Sequence, residues 1–191
     1  MKNLEENKYV VMCVGFTHSG KTTFTKKLYK KIKNTVLLDN DEIANFINLQ
    51  YKDLVFSSFN HTKKNYKDPG LKFLLSKQIF EFSLRAGLNL IQASCNLGKD
   101  AQSFIKKTTK KYNYKLITVY FNLPEKVLIK RIKNTKKDTR CFRLSLKWNQ
   151  VLEKQKLYMN LPPDKNTDVY FEIKNNQDSR KVLSKLIELL N

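Results

Sequence analysis

No stretch of the 191 residues approaches the ~20 uninterrupted apolar positions of a membrane span. The opening MKNLEENKYVVMCVGF is polar and acidic ahead of its first apolar run, and is expected not to act as a secretory leader. Cysteine is scarce: Cys13, Cys95 and Cys141 lie far apart with no CxxC pairing. This usage offers no metal site and suits a reducing cytoplasm, the expected location. The two histidines, His18 and His61, also lack ligand spacing. Arginine is rare as well. Only Arg85, Arg131, Arg140, Arg143 and Arg180 stand among 37 basic residues, against 17 acidic ones, for a formal charge of +20. Arginine is the residue suited to bidentate phosphate recognition. A surface built mainly of lysine and asparagine therefore permits a polyanionic partner without identifying one. An A/T-rich coding sequence would give any solvated face the same character.

Neither an internal repeat nor a domain linker is visible, and the length fits one domain with a sizeable core, so residues 1–191 are read as a single unit. Lys8 to Phe16 is a short β-branched apolar run ending at a glycine, read as a buried strand. Thr22 to Lys33 carries Phe24, Leu28 and Ile32 at helical spacing. TVLLD (Thr35 to Asp39) reads as a second strand, and Glu42 to Leu49 begins a second helix. After the breaker Asp68-Pro69-Gly70, Leu71 to Ala86 reads as a helix with Leu74, Leu75, Ile79, Phe82 and Leu84 as its apolar positions. NLIQAS (Asn89 to Ser94), LITVYFN (Leu116 to Asn122) and Val169 to Ile173 complete five strands. Helices follow over about 99–112, after Pro124, through Trp148 and Leu152, and over 178–190. Alternation of this kind predicts a three-layer α/β/α fold around a five-stranded parallel sheet.

GFTHSGKTT is the densest chemical signal. Gly15 to Thr22 satisfies GxxxxGK[ST] with a strand before it and a helix after it, the context that a phosphate-binding P-loop requires. The glycines allow a tight turn in which successive N–H groups face inward. The helix start adds its positive dipole end. Lys21 can reach the β- and γ-phosphates and the Thr22 hydroxyl can ligate Mg²⁺. Thr17, His18, Ser19, Gly20 and Thr23 complete the expected nucleotide-binding set, the first three through backbone amides.

Asp39-Asn40-Asp41 follows the second strand. The C-terminal ends of parallel strands line the ligand crevice of an open α/β sheet. A carboxylate there can orient or deprotonate an acceptor hydroxyl, and it can equally cap the next helix. Asp41 is the expected base and acceptor contact, and Asp39 is a metal candidate beside Thr22.

The loop, the D-x-D pair and the later VLIKRIKNT together resemble the small P-loop kinases, which include polynucleotide 5′-hydroxyl kinases, gluconate and shikimate kinases and zeta-toxin-like kinases. The likeness covers the order of elements over most of the chain. LLDNDEIANF resembles zeta toxins, in which a D-x-D aspartate activates a sugar hydroxyl. QASCNLGKD resembles the DTNL turn of polynucleotide kinases, with Asn96-Leu97 retained. The resemblance implies a lid arginine on the helix after the fourth strand, matched by Arg131. Arg140 and Arg143 follow in a basic lid segment at about 134–146, with an acceptor-binding insertion at about 50–70. KRIKNTKKDTRCFR also reads as an acidic-substrate clamp or a solvated face. Phe56, Phe59 and Tyr66 read as a stacking platform or as core. The sequence departs from these kinases at Gln92, Ala93 and Ser94, where an acidic residue is usual. It departs again at Ala44, where polynucleotide kinases tend to carry an arginine, and at Thr135, where a further lid arginine is expected.

These features predict an ATP-dependent phosphotransferase using Mg²⁺, with Lys21, Asp41, Arg131 and Arg140 as catalytic residues and Asp41 and Arg143 on the substrate. The expected acceptor is a hydroxyl on a nucleic-acid 5′ end, a nucleoside or a nucleotide-sugar. The alternative is a nucleotide-binding regulatory module with little or no transferase activity. A switch GTPase is disfavoured because no NKxD element is present.

Overall fold

The apolar residues of the first strand decide the architecture. In a computed structural model, which describes residues 8–51, 70–136, 147–158 and 162–191, β1 (Tyr9–Gly15) is buried along its whole length. Tyr9, Val11 and Cys13 face one core, while Val10, Met12 and Val14 face the other. A strand with no polar side belongs in the middle of a sheet covered on both faces. β2 (Thr35–Leu38), β3 (Asn89–Gln92), β4 (Lys115–Phe121) and β5 (Val169–Ile173) complete the sheet in the order β2-β3-β1-β4-β5. Every pairing is parallel, with Val10 opposite both Leu90 and Leu116. This is the predicted five-stranded α/β arrangement of P-loop NTPases.

Parallel neighbours need crossover connections, and the helices supply them. They are α1 (Lys21–Tyr29), α2 (Asn40–Gln50), α3 (Leu71–Arg85), α4 (Lys99–Lys111), α5 (Glu125–Lys133), α6 (Trp148–Tyr158) and α7 (Asn176–Leu190). Phe24 and Leu28 of α1, Leu128 of α5, Leu152 of α6, and Val182 and Leu186 of α7 form the first core with the sheet. Phe80 and Leu84 of α3 and Ile105 of α4 form the second. No described helix is long and apolar enough to cross a membrane.

Two expectations need correction. α1 stops at Tyr29, short of Lys33. Ile32 still reaches the core from the following turn, which closes at Asn34 with a left-handed φ of 51°. The buried face of α3 is Ser76, Phe80, Ser83 and Leu84, whereas Leu74, Ile79 and Phe82 are exposed. The serines tolerate burial because their hydroxyls donate to Asn40 Oδ1 and to the Ile79 carbonyl. Most of the expected lid, with Arg140 and Arg143, lies outside the described residues. So does nearly all of the 50–70 insertion, with Phe56, Phe59 and Tyr66.

Candidate active site

The chain turns from β1 into α1 beside the sheet's centre, and the turn is built by close approach. A β-carbon on Gly15 would stand 2.8 Å from Phe121 Cβ and 2.9 Å from the Phe121 carbonyl oxygen. His18 (φ 58°) and Gly20 (φ 100°) adopt the left-handed conformation. Alternation of this sort gathers successive N–H groups into an anion-binding concavity. Gly20 is also the N-cap of α1, so the positive end of that helix faces the same space.

Lys21 is buried and folds back over the loop. Its ammonium donates to the carbonyls of Gly15 (2.8 Å) and Phe16 (2.7 Å) and to Ser19 Oγ (3.2 Å). Burial pulls its pKa down, opposed by the nearby Cys95, Cys13, Asp41 and Asp39 groups. The amine therefore gains strongly from any anion that enters. Burial likewise pushes the Cys13 thiol up to about 12, which leaves it an inert core group.

Arg131, on α5, reaches the loop. Nη1 donates to the His18 carbonyl (3.0 Å) and Nη2 to Asn176 Oδ1 (2.7 Å). The N–H of Thr17, expected among the phosphate donors, is instead donated to Gln155 Oε1 (2.8 Å). The His18 ring hydrogen-bonds Thr17 Oγ1 through Nδ1 and meets the Trp148 ring edge-on at 4.8 Å. Gln155 and Trp148 escaped sequence reasoning. The signal for Gln155 was an amide one turn beyond the apolar pair Val151-Leu152.

Across the cleft, Asp39 is the N-cap of α2 and its Oδ1 accepts the Asp41 N–H (2.9 Å). Asp41 falls in the first turn of that helix. Both carboxylates line the cleft that holds Lys21. Capping and ligand contact are thus compatible here. At the tip of β3, Gln92 is buried in a neutral network. Its Nε2 donates to Ser94 Oγ (3.3 Å) and Asn40 Oδ1 (3.5 Å), and Asn40 N–H donates to Ser94 Oγ (3.1 Å). Asn96 ties the strand tips together, donating to the Cys13 carbonyl at 2.8 Å, while Gly15 N–H donates to the Cys95 carbonyl at 3.0 Å.

Lys21, Asp39, Asp41, Arg131, Trp148 and Gln155 border one cleft of about 1290 Å³. That exceeds the ~300–1,000 Å³ of a single small-molecule site, leaving room for a donor and an acceptor. Asp41, Lys72 and Lys99 line the cleft, as do Arg131, Asn176 and Arg180. Thr22 and Asp39 supply hard oxygen donors of the kind Mg²⁺ takes. Among the described residues, no group of three or more His, Cys, Asp or Glu is placed to hold a metal ion.

A family described as AAA domain matches residues 10–162. Among solved structures, the chain is similar to a Chloroflexus aurantiacus protein assigned as a kinase (TM-score 0.67, 14% identity, covering 97% of this chain and 100% of that one). It is also similar to a sugar kinase from Janibacter sp. (TM-score 0.59, 13% identity, 95% and 91% covered). A third likeness is to the APS kinase of Mycobacterium tuberculosis in complex with AMPPNP and APS (TM-score 0.55, 13% identity, 96% and 98% covered). At such identities the likeness is one of fold. No curated protein matches the sequence significantly.

Proposed function

The chain belongs to the AAA-domain family, and from that premise we propose that it is a single-domain phosphotransferase moving the γ-phosphoryl group of ATP to a hydroxyl acceptor. The observation that carries this reading is the convergence of Lys21, Asp41 and Arg131 on one cleft. A phosphoryl group seated at the loop must face the acceptor, so the acceptor enters past Asp41 and the nucleoside trails toward Arg131 and α7. The fold shared with a kinase that binds AMPPNP supports the choice of donor.

Transfer breaks the bond from the γ-phosphorus to the β–γ bridging oxygen and forms one to the acceptor oxygen. The acceptor proton passes to the Asp41 carboxylate, and the electron pair leaves with ADP. Lys21 exchanges its carbonyl partners for β- and γ-phosphate oxygens, and Arg131 offsets charge spreading over the moving group. Thr22 and Asp39 would hold Mg²⁺, which when bound draws charge from the phosphate oxygens. Arg140 and Arg143, from a lid at about 134–146, belong to the same proposal, as does an acceptor-binding insertion at about 50–70. A cytoplasmic setting, suited to the unpaired thiols of Cys13 and Cys95, completes it.

Asp41→Ala is the direct test. The variant is expected to bind ADP normally and to lose transfer by about 10²–10⁴-fold; unchanged transfer would sink the role of Asp41. Labelled ATP offered to 5′-hydroxyl oligonucleotides and to a panel of nucleosides and nucleotide-sugars identifies the acceptor. A second reading, a regulatory nucleotide-binding module, draws on the neutral Gln92 network. ADP binding without transfer to any of these acceptors would select it.

A further inference from the structure

A trans peptide points its N–H and its carbonyl in opposite directions. The unit joining Phe16 to Thr17 donates its N–H to Gln155 Oε1 at 2.8 Å. Its carbonyl, on the other side, accepts from Lys21 Nζ at 2.7 Å and from Ser19 N at 3.3 Å. One side chain on α6 therefore sets which way this plane faces. Gln155 is only 5% exposed, and burying an amide among apolar neighbours is costly unless its polar atoms find partners. The contact is a specific one.

The next residue is held from the same side. His18 is not a glycine yet has φ 58°, a conformation that costs energy unless its surroundings impose it. Arg131 grips its carbonyl and Trp148 meets its ring. The outer half of the loop is thus kept in shape by α5 and α6, the two helices that bracket residues 137–146, more than by its own sequence.

We propose that Gln155 is a positioning residue of the phosphate loop: by holding the Thr17 N–H it fixes the Phe16–Thr17 peptide plane. That plane sets where the Phe16 carbonyl stands, and with it the resting places of the Lys21 ammonium and the Ser19 N–H that donate to it. Donors already in place bind an anion without the cost of ordering them at that moment. The inference rests on the proposed reading only in that a nucleotide phosphate occupies the loop.

Gln155→Met keeps the length and removes the amide acceptor. The expected result is an ADP Kd raised about 5–100-fold, the equivalent of a buried N–H left unpaired. A role confined to stability would lower the Tm and leave the Kd of the folded protein unchanged. Amide exchange provides a second readout. The Thr17 N–H should be protected in the unliganded wild type, exposed in Gln155→Met, and protected again in Gln155→Glu, which retains an accepting oxygen. An ADP Kd within about twofold of wild type, or a freely exchanging Thr17 amide in the wild type, overturns the inference. Should Gln155→Met fail to fold, the wild-type and Gln155→Glu exchange rates still decide. ADP binding by a wild type that transfers no phosphate would remove the phosphotransferase reading and leave this one standing. No ADP binding at all would overturn both.

Discussion

Gly15→Ala is the smallest change that should damage both the fold and the site. The added methyl would stand 2.8 Å from Phe121 Cβ, 2.9 Å from the Phe121 carbonyl oxygen and 3.1 Å from Ser19 Oγ. None of the first two is the end of a flexible side chain. Phe121 lies opposite Gly15 in the β1–β4 register and its ring packs edgewise against Phe24 at 5.4 Å. Relief therefore requires the strands to part at their tips. Overpacking of this sort costs about 1–3 kcal/mol, and a φ of 154°, rarely adopted by L side chains, adds to it. With the sum taken as about 3 kcal/mol, and about 2–4 °C per kcal/mol for a chain of this size, the Tm should fall by about 6–12 °C. The Gly15 carbonyl also accepts from Lys21, so ADP binding should weaken in parallel. Thermal melts by circular dichroism and ADP titration by calorimetry check both. A Tm within about 2 °C of wild type, together with unchanged ADP affinity, would show that β4 yields freely and would refute the close-approach argument.

Asp39 can be divided into its two roles. Asp39→Ala removes the α2 cap and should cost about 1 kcal/mol, or about 2–4 °C in Tm, whereas Asp39→Asn keeps a capping oxygen and should melt near wild type. Both variants should lose Mg²⁺-dependent transfer; full activity in Asp39→Asn would end the metal role. Lys21→Met tests the cost of the buried ammonium. Its folded pKa is depressed, so the unfolded chain holds the proton more tightly; the penalty is full below the depressed value and fades as pH rises toward the ordinary 10.5. The variant should melt at or above the wild-type temperature at neutral pH, with ADP binding lost and the gap narrowing under alkaline melts. A variant markedly less stable than wild type at neutral pH would contradict that sign.

Strand positions and the loop were legible because both depend on short-range patterns: β-branched runs ended by turn residues, and a glycine-bounded GKT before a helix. The D-x-D pair was legible as either a cap or a ligand contact, and Asp39 does cap α2 while both aspartates line the cleft. The buried face of α3 differs from the expected one because apolar periodicity assumes that burial follows hydrophobicity. Ser76 and Ser83 enter the interior through hydrogen bonds, and those partners are a tertiary matter. Gln155 was illegible for the same reason, its partner being a backbone amide 138 positions away. The Gln92 substitution was visible as a missing acid, but not the neutral network that Asn40 and Ser94 build around it.

The central place of β1 also bears on how the molecule is made. Val10 pairs with Leu90 on one side and Leu116 on the other, so the first strand leaves the ribosome well before either neighbour exists. At about 5–20 residues per second, it waits several seconds for β4 to emerge. In that interval YVVMCVG is an apolar ribbon with two open edges, a template for unwanted pairing. The stretch that organises the finished site is the one most in need of shielding while the chain is still being synthesised.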